Sequence, residues 1–340
     1  MIIAAYNEEK VIGEKIENSL SLNYPKDKLE IIVLSDCSTD KTNEIVKHYH
    51  QQGVILNLQD KRRGKSAGLN DSIPNARGEI ILFTDANAIL DKDSLKMITR
   101  NFADDKIGFV TGRTKYISTD KNSVLEITST YTTLETFIKK KESELGSCVG
   151  ADGALFAIRK NLYTLLKSMD INDIVIPLNI IKQGYRGIIE EEAFSTEETT
   201  QNLKSEFGRQ VRITSRTLNA IFDHSEFLNP FKYPLYSFQL ISHKLIRFFT
   251  PYFLILLMAT NILLFQHGLF FKVSLIGQFI WYILAIVDVK TGIARCARIS
   301  SLPTNFIIMN LAFIKGWIKY LSGENYVIWD PTSSLIDHQR

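Results

Sequence analysis

The sequence predicts an α/β domain, with a mixed but mainly parallel sheet and helices on both faces, followed by an α-helical membrane segment. Residues 1–235 alternate between short apolar runs rich in β-branched residues and amphipathic helical runs, which is typical of a parallel sheet covered on both faces. The 24 residues Phe248–Phe271 contain no Asp, Glu, Lys or Arg, and a soluble core helix seldom runs so far without a charge. Residues 1–235 are therefore suited to water, and the uncharged run that begins at Phe248 is suited to the interior of a membrane.

The composition excludes several classes of protein. Of the 340 residues, 45% are hydrophobic and 23% are charged, which is ordinary for a globular protein and unlike a disordered or low-complexity chain. The net charge of +3 is too small to predict nucleic-acid binding. The three cysteines, Cys37, Cys148 and Cys296, form no CxxC pair, so the sequence offers neither a disulfide framework nor a zinc ribbon.

The hydrophobic runs divide the chain into parts. A helix needs about 20 apolar residues to cross the core of a bilayer. We predict a cytoplasmic domain at 1–234, an interfacial amphipathic helix at 235–247, a membrane region at 248–321 and a tail at 322–340. Within the membrane region, the predicted spans are 248–266 and 272–289, with a weaker third segment at 303–320. Lys315 and Lys319 interrupt the third segment, so an interfacial position is its alternative.

The basic residues that flank the two spans predict their orientation. Only Lys272 lies in the hairpin between the spans, whereas the outer flanks carry Lys244, Arg247, Lys290, Arg295 and Arg298. Because Lys and Arg accumulate on the cytoplasmic side of membrane proteins, the 1–234 domain and the 290–302 loop are predicted to be cytoplasmic. The chain would then be a multi-pass protein of the plasma membrane.

The strand pattern indicates where a ligand would bind. Strands are predicted at Ile2–Ala5, Leu29–Leu34, Val54–Leu58, Glu79–Phe83, Ile107–Thr111 and Ala154–Ile158. Ligands of open α/β sheets bind beyond the carboxyl ends of the strands. The polar residues Tyr6, Glu8, Asp36 and Asp85 come directly after three of these strands. They are therefore the first candidates for a site.

Two common nucleotide motifs are absent from the sequence. No G-x-G-x-x-G follows the first strand, which argues against a dinucleotide dehydrogenase. The tripeptide Gly64-Lys65-Ser66 is like the end of a P-loop, but that motif requires glycine at the position of Gln59.

Seven short motifs occur along residues 1–222. They are Ala4-Ala5-Tyr6-Asn7-Glu8-Glu9, Ser35-Asp36-Cys37-Ser38-Thr39-Asp40, Arg63-Gly64-Lys65, Phe83-Thr84-Asp85-Ala86-Asn87-Ala88, Gly150-Ala151-Asp152-Gly153-Ala154, Asn172-Asp173 and Arg209-Gln210-Val211-Arg212. Their content and order resemble glycosyltransferase family 2, the inverting sugar transferases that include the membrane-bound polysaccharide synthases of the cellulose-synthase-like branch. The resemblance implies a Rossmann-like sheet of the GT-A type. It also implies transfer from a nucleotide-sugar, with UDP-sugars expected, to a saccharide or lipid-linked acceptor.

The resemblance assigns donor-binding roles to the strand-end residues. The family's counterpart of Asp36 contacts uracil, and Asp85 would bind Mg²⁺ or Mn²⁺ on the diphosphate. The usual second Asp of this metal motif is replaced by Asn87, whose carbonyl oxygen is an uncharged and weaker ligand. The remaining residues expected at the donor are Ala5, Tyr6, Glu8, Lys65, Arg209 and Arg212.

The resemblance also assigns the acceptor end of the site. Inverting transfer requires a base that takes the proton of the acceptor hydroxyl, and Asp173 matches the acidic residue that the family uses. Asp170 is its local competitor. Gly150, Asp152 and Gly153 match the segment that lies beneath the acceptor sugar in relatives.

The sequence departs from the processive synthases in one motif and at its start. In those enzymes this motif is Gln-x-x-Arg-Trp. This chain has Arg209-Gln210-Val211-Arg212-Ile213 in its place, and the absence of the Trp argues against processive synthesis. The chain also begins within its first strand, so we expect that strand to be short. Two alternatives stay open: a catalytically degenerate scaffold of a polysaccharide export complex, and a polyprenyl-phosphate sugar transferase.

Overall fold

The computed structural model describes residues 1–117, 123–198, 203–291 and 301–324. The predicted 290–302 loop and the 322–340 tail lie largely outside the described residues. The strands are β1 (Ile2–Ala5), β2 (Ile31–Ser35), β3 (Val54–Leu58), β4 (Ile80–Asp85), β5 (Ile89–Leu90), β6 (Ile107–Ile117), β7 (Phe156–Arg159) and β8 (Arg186–Glu198). The helices of the N-terminal part are α1 (Ile12–Leu20), α2 (Thr42–His48), α3 (Lys65–Asn75), α4 (Ser94–Arg100), α5 (Ser123–Leu145), α6 (Asn172–Lys182) and α7 (Leu203–Asp223).

The strands form one mixed sheet in the order β3-β2-β1-β4-β7-β6-β8-β5. The first four strands of this order run parallel, β6 and β8 are also parallel, and the pairings of β4 with β7, β6 with β7 and β5 with β8 are antiparallel. All six predicted strands are present, with ends that differ by a few residues. β8 was not predicted because its sequence, Arg186–Glu198, is rich in charged residues.

Alternating residues of the strands face two separate hydrophobic cores, one on each side of the sheet. Ile2 and Leu34 belong to the core that α3 and α6 cover, and Ile3 and Val33 belong to the core beneath α1. Because both faces are buried, β1 and β2 read as continuous apolar runs without polar alternation. The prediction of helices on both faces of a mixed sheet is confirmed.

The C-terminal part is helical. Helix α8 (Pro234–Gln239) continues through a π-helical turn, Leu240–Leu245, into α9 (Ile246–Leu263), and α10 (Leu269–Thr291) returns along it. Two helical stretches of the described chain, Pro234–Leu263 and Leu269–Val289, are long and apolar enough to cross a membrane. The predicted interfacial segment 235–247 is thus continuous with the first predicted span.

The third predicted segment forms α11 (Ser301–Leu321), which joins the two parts of the molecule. Trp317 donates its Nε1–H to the carbonyl oxygen of Phe248 at 3.0 Å, and both side chains are buried together with Leu218 of α7. At Gly316 a methyl group would lie 2.6 Å from the Thr214 side chain, so α11 and α7 approach as closely as glycine allows. Helix α7 thereby connects the sheet domain to the apolar helices.

Candidate active site

The turn after β2 holds the segment 63–66 through a single carboxylate. Asp36 is 6% exposed, and its oxygens accept hydrogen bonds from the backbone N–H groups of Arg63 at 2.9 Å and Gly64 at 3.0 Å. Gly64 has a φ of +85°, a conformation that side-chain-bearing residues rarely adopt, and α3 begins directly after it. Asp36, expected to contact the nucleotide, therefore also fixes the start of α3.

The first residues of α3 reach two other parts of the site. Lys65 Nζ donates to Asp85 Oδ1 at 2.7 Å, so the ends of β2 and β4 are joined through this lysine. Ser66 is buried, and its hydroxyl donates to the carbonyl oxygen of Asp170 at 2.7 Å. The Gly64-Lys65-Ser66 tripeptide, which is like the end of a P-loop, therefore connects Asp36 and Asp85 with the segment that leads into α6.

Asp85 and Asn87 offer the oxygen ligands that a hard divalent cation prefers. Both side chains are accessible, whereas the intervening Ala86 and the following Ala88 are buried. In the described part of the chain, no three His, Cys, Asp or Glu side chains are arranged to enclose a metal ion. One carboxylate and one amide nevertheless fit Mg²⁺ or Mn²⁺, because these ions take further ligands from water and phosphate oxygens in nucleotide sites.

Acidic side chains near Asp85 repel one another. Burial, together with the charges of Asp85 and Asp40, raises the pKa of Glu8 to about 7. Burial and the charges of Asp85 and Asp152 raise the pKa of Glu197 to about 8. This surplus of carboxylates is what a bound divalent cation would relieve. The sequence did not indicate Glu197, because it lies at the end of the unpredicted strand β8.

A buried lysine, also missed by the sequence analysis, lies beneath the Asp85 turn. Lys15 is fully buried, and its Nζ donates to the Thr84 hydroxyl at 2.9 Å and to the carbonyl oxygen of Ala88. Burial lowers the pKa of Lys15 to about 7, against the effect of Asp85 and Glu197. The sequence could have indicated this burial, because Lys15 lies three residues after Ile12 and therefore on the buried face of α1.

At the other end of the site, Asp173 lies against the glycine-rich segment as the resemblance implies. The Ala151 N–H donates to the Asp173 carbonyl oxygen at 2.7 Å, and a methyl group at Gly153 would lie 3.3 Å from Asp173 Oδ2. Asp173 Oδ1 is buried and has no hydrogen-bond partner among the described residues. Burial raises the pKa of Asp173, against the charge of Lys65, which lowers it. A carboxylate that lacks a donor is suited to accept a proton.

The local competitor Asp170 has a structural role. Its Oδ2 accepts the N–H of Lys167 at 2.8 Å, which closes the turn before α6. Its carbonyl oxygen accepts hydrogen bonds from Ser66 and, at 2.6 Å, from Arg216. The Asp170 side chain lines a different cavity, together with Lys167, Asp223 and His224.

Arg209, Arg212 and Arg216 recur at i, i+3 and i+7 in α7, a spacing that predicts one helix face, but they have different partners. Arg209 forms a bidentate ion pair with Glu206 at 2.8 and 2.9 Å. Arg216 is held by the carbonyl oxygens of Met169 and Asp170. Arg212 lies between them on α7, close enough to Arg216 to lower its pKa in addition to the effect of burial.

The remaining predicted residues lie on the same polar edge of the sheet. The Ala5 carbonyl oxygen accepts the Asp36 N–H at 3.0 Å, and the guanidinium of Arg62 lies 3.7 Å from the centre of the Tyr6 ring. Asp152 points inward, where its carboxylate accepts hydrogen bonds from the Thr114 hydroxyl and the Ala154 N–H. Gly150 has a φ of +73°, which the turn requires.

Comparison with known proteins identifies the N-terminal part. Residues 1–165 match the family model "Glycosyl transferase family 2". These residues form a family 2 glycosyltransferase domain. The predicted family is thereby confirmed for this part of the chain.

Curated relatives of this glycosyltransferase domain include a synthase and a probable transferase. Poly-beta-1,6-N-acetyl-D-glucosamine synthase of Staphylococcus aureus (strain COL) is 29% identical over 194 residues, which cover 54% of this chain and 46% of that protein. The probable glycosyltransferase YdaM of Bacillus subtilis is 28% identical over 200 residues, covering 54% of this chain and 47% of YdaM. The matched region thus spans about half the length of these relatives.

The fold is shared with a solved structure over nearly the whole chain. The mannosyltransferase PcManGT of Pyrobaculum calidifontis, solved in complex with GDP-Man and Mn²⁺, superposes with a TM-score of 0.70 at 21% sequence identity. The similarity covers 95% of this chain and 87% of that one. The predicted GT-A fold is therefore confirmed.

The raised pKa of Glu8 predicts a pH-dependent stability. The folded state holds the Glu8 proton more tightly than the unfolded chain, whose pKa is near 4.5, so this contribution is lost as the pH rises through about 7. In EDTA, the change in the free energy of unfolding in detergent between about pH 5 and pH 8 should be less destabilising by about 1–2 kcal/mol in Glu8→Gln than in the wild type, after allowance for solvent screening. The exposed neighbour Glu9→Gln is the matched control. An identical pH dependence in wild type and Glu8→Gln would contradict the assignment.

Proposed function

We propose that the protein is a membrane-anchored inverting glycosyltransferase that moves a sugar from a nucleotide-sugar to a saccharide or lipid-linked acceptor in cell-surface polysaccharide synthesis. The observation that carries the proposal is that one turn, residues 63–66, contacts both the donor-side aspartates and the chain that leads to Asp173. A donor and an acceptor site that share a rigid connection suit a single displacement between two bound substrates.

The donor would bind along the carboxyl ends of β1, β2 and β4. Asp36 has lone pairs left after accepting two backbone N–H groups, so it can also accept a hydrogen bond from a base or a ribose. Lys65 and Arg212 would bind the diphosphate and stabilise its charge as it leaves. Asp85 and Asn87 would hold Mg²⁺ or Mn²⁺, which supplies charge neutralisation on phosphate oxygens when bound. PcManGT, which shares the fold, was solved with Mn²⁺ and a nucleotide-sugar.

Asp173 would act as the base on the acceptor. Its unpartnered Oδ1 would take the proton of the acceptor hydroxyl as the oxygen forms a bond to the sugar C1, opposite the departing diphosphate. Gly150 and Gly153 would allow the acceptor to approach the backbone beside Asp173. The S. aureus relative is a poly-N-acetylglucosamine synthase by name, so UDP-N-acetylglucosamine is the first donor to test.

The membrane position is part of the proposal. The two apolar helical stretches Pro234–Leu263 and Leu269–Val289 support anchoring, with the domain on the cytoplasmic side as the Lys and Arg distribution predicts. The scaffold alternative predicts that contacts within the site have decayed, whereas Asp36, Lys65 and Asp85 remain joined. Partners in polysaccharide export would be compatible with either function.

Donor binding should depend on a divalent cation. Titration calorimetry with UDP should show binding in the presence of Mn²⁺, loss of binding with EDTA, and at least about tenfold weaker binding in Asp85→Ala, since a carboxylate is the stronger of the two proposed ligands. Asp105→Ala, which removes a fully exposed carboxylate, is the control and should bind UDP as the wild type does. Equal UDP affinity with Mn²⁺ and with EDTA would refute a metal-dependent donor site.

The catalytic proposal is tested by Asp173→Asn, which retains shape but cannot accept the proton. Nucleotide release from the sugar donor should fall about 10²–10⁴-fold, while UDP affinity stays within about twofold because the donor residues are untouched. Asp170→Asn is the matched control, since an amide oxygen can still accept the Lys167 N–H. Full activity in Asp173→Asn would mean that Asp170 is the base, or that the acceptor is an already ionised polyprenyl phosphate. The screen should include UDP- and GDP-sugars, and no transfer with any of them would favour the scaffold.

A further inference from the structure

A buried charged cluster lies between α5 and the π-helical turn Leu240–Leu245, outside the residues assigned above. Glu142 of α5 is 5% exposed, and its Oε1 lies 2.8 Å from Nδ1 of His243. The other ring nitrogen of His243 lies 3.1 Å from Oε2 of Glu135, about two turns earlier on α5. Both ring nitrogens of His243 therefore lie within hydrogen-bond distance of a carboxylate of α5.

Two lysines and an arginine belong to the same cluster. Lys244 Nζ donates to Glu135 Oε1 at 2.6 Å, and Lys139 and Arg247 both lie 3.8 Å from Glu135. Burial raises the pKa of Glu135, but these cations and His243 overcome that effect and hold it well below its usual range. Buried ion pairs add little net stability because of the cost of desolvation. Stability alone therefore does not explain why so many charged side chains are buried together here.

The cluster reaches the glycine-rich segment through the other oxygen of Glu142. Glu142 Oε2 accepts the backbone N–H of Val149 at 2.9 Å. Val149 directly precedes Gly150, whose φ of +73° turns the chain so that the Ala151 N–H can donate to the Asp173 carbonyl oxygen. Residues 147 and 148 are held separately by Gly187, so Glu142 is the side chain that fixes the next residue, Val149.

We propose that Glu142 is a positioning residue for the acceptor end of the site, and that His243 makes this positioning depend on the helix that leads into the apolar stretch Pro234–Leu263. The proposal rests on the function proposed above, in which Asp173 and the segment Gly150–Gly153 contact the acceptor. The acceptor side of the site is then assembled in part by the membrane-side helix, whereas the donor side is assembled within the sheet domain.

Two features distinguish this role from simple packing. First, Glu142 uses one oxygen for the helix and the other for the loop, so movement of the helix 240–245 would be transmitted to Val149 through one rigid group. Second, Lys139 and Lys244 of the cluster are among the charges that lower the pKa of Asp173, so the cluster also acts on this carboxyl through its field. The donor-side contacts of Asp36, Lys65 and Asp85 involve none of these residues.

The test compares Glu142→Ala and Glu142→Gln in the full-length protein in detergent. Glu142→Ala removes both contacts, so amide hydrogen exchange in the peptide covering 147–153 should be at least about tenfold faster, with turnover lower by about 10–100-fold. UDP affinity with Mn²⁺ should stay within about twofold. Glu142→Gln keeps an oxygen that can accept the Val149 N–H, so it should restore most of the protection of the peptide.

Two further variants locate the effect. His243→Leu should also speed exchange in the 147–153 peptide, because Glu142 then loses its partner on the helix. Glu144→Ala, on the same helix but half-exposed and paired with Lys141, is the matched control and should change neither exchange nor turnover. Unchanged exchange and turnover in His243→Leu would overturn the link to the membrane-side helix.

The outcomes separate this proposal from the proposed function. Wild-type exchange and turnover in Glu142→Ala would overturn the positioning role, as would an equal loss of UDP affinity, which would indicate a global defect. If Glu142→Ala does not fold, His243→Leu decides, and unaltered exchange in its 147–153 peptide would refute the proposal. If the wild type transfers no sugar, the proposed function fails, but the exchange measurements still decide whether Glu142 holds the loop.

Discussion

The geometry of the site depends on one contact, in which the Asp36 carboxylate accepts hydrogen bonds from the N–H groups of Arg63 and Gly64. It fixes the turn from which Lys65 reaches Asp85 and Ser66 reaches the carbonyl oxygen of Asp170. A buried carboxylate that accepts two backbone N–H groups is held in one orientation, and backbone donors cannot rotate away as side chains can. Strand ends that are far apart in sequence are thereby brought to fixed distances from one another.

Charge balance is the second constraint on this edge of the sheet. Burial and the charge of Asp85 raise the pKa of both Glu8 and Glu197. Lys65 pairs with Asp85, and Arg209 and the buried Lys15 act in the opposite direction on Glu197. The replacement of the usual second aspartate by Asn87 removes one more negative charge. The site thus offers less repulsion to a diphosphate than its acidic residues suggest, and a bound divalent cation would reduce the repulsion further.

The sequence predicted the parts of the molecule that depend on local pattern. Strands with apolar runs were found because burial on both faces imposes that composition, and the residues after them marked the edge where ligands bind. Strand β8 was missed because it is rich in charged residues, and Glu197 was missed with it. The burial of Lys15 and the link between Glu142 and Val149 depend on contacts between distant segments, which no periodicity records. The sequence likewise could not show that the Asp170 carboxylate accepts the N–H of Lys167, whereas Asp173 Oδ1 has no hydrogen-bond partner among the described residues.

The central claim, that Asp36 organises the site before any nucleotide binds, is tested most directly by hydrogen exchange on Asp36→Asn without ligand. Asparagine places an NH2 group where Oδ2 accepts the Gly64 N–H, and two donors that face each other repel, so the account predicts faster exchange in the peptide covering 61–67. Because Ser66 holds the carbonyl oxygen of Asp170, the peptide covering 168–174 should also exchange faster. Unchanged exchange in both peptides, accompanied only by weaker UDP binding, would contradict the account and reduce Asp36 to a nucleotide contact.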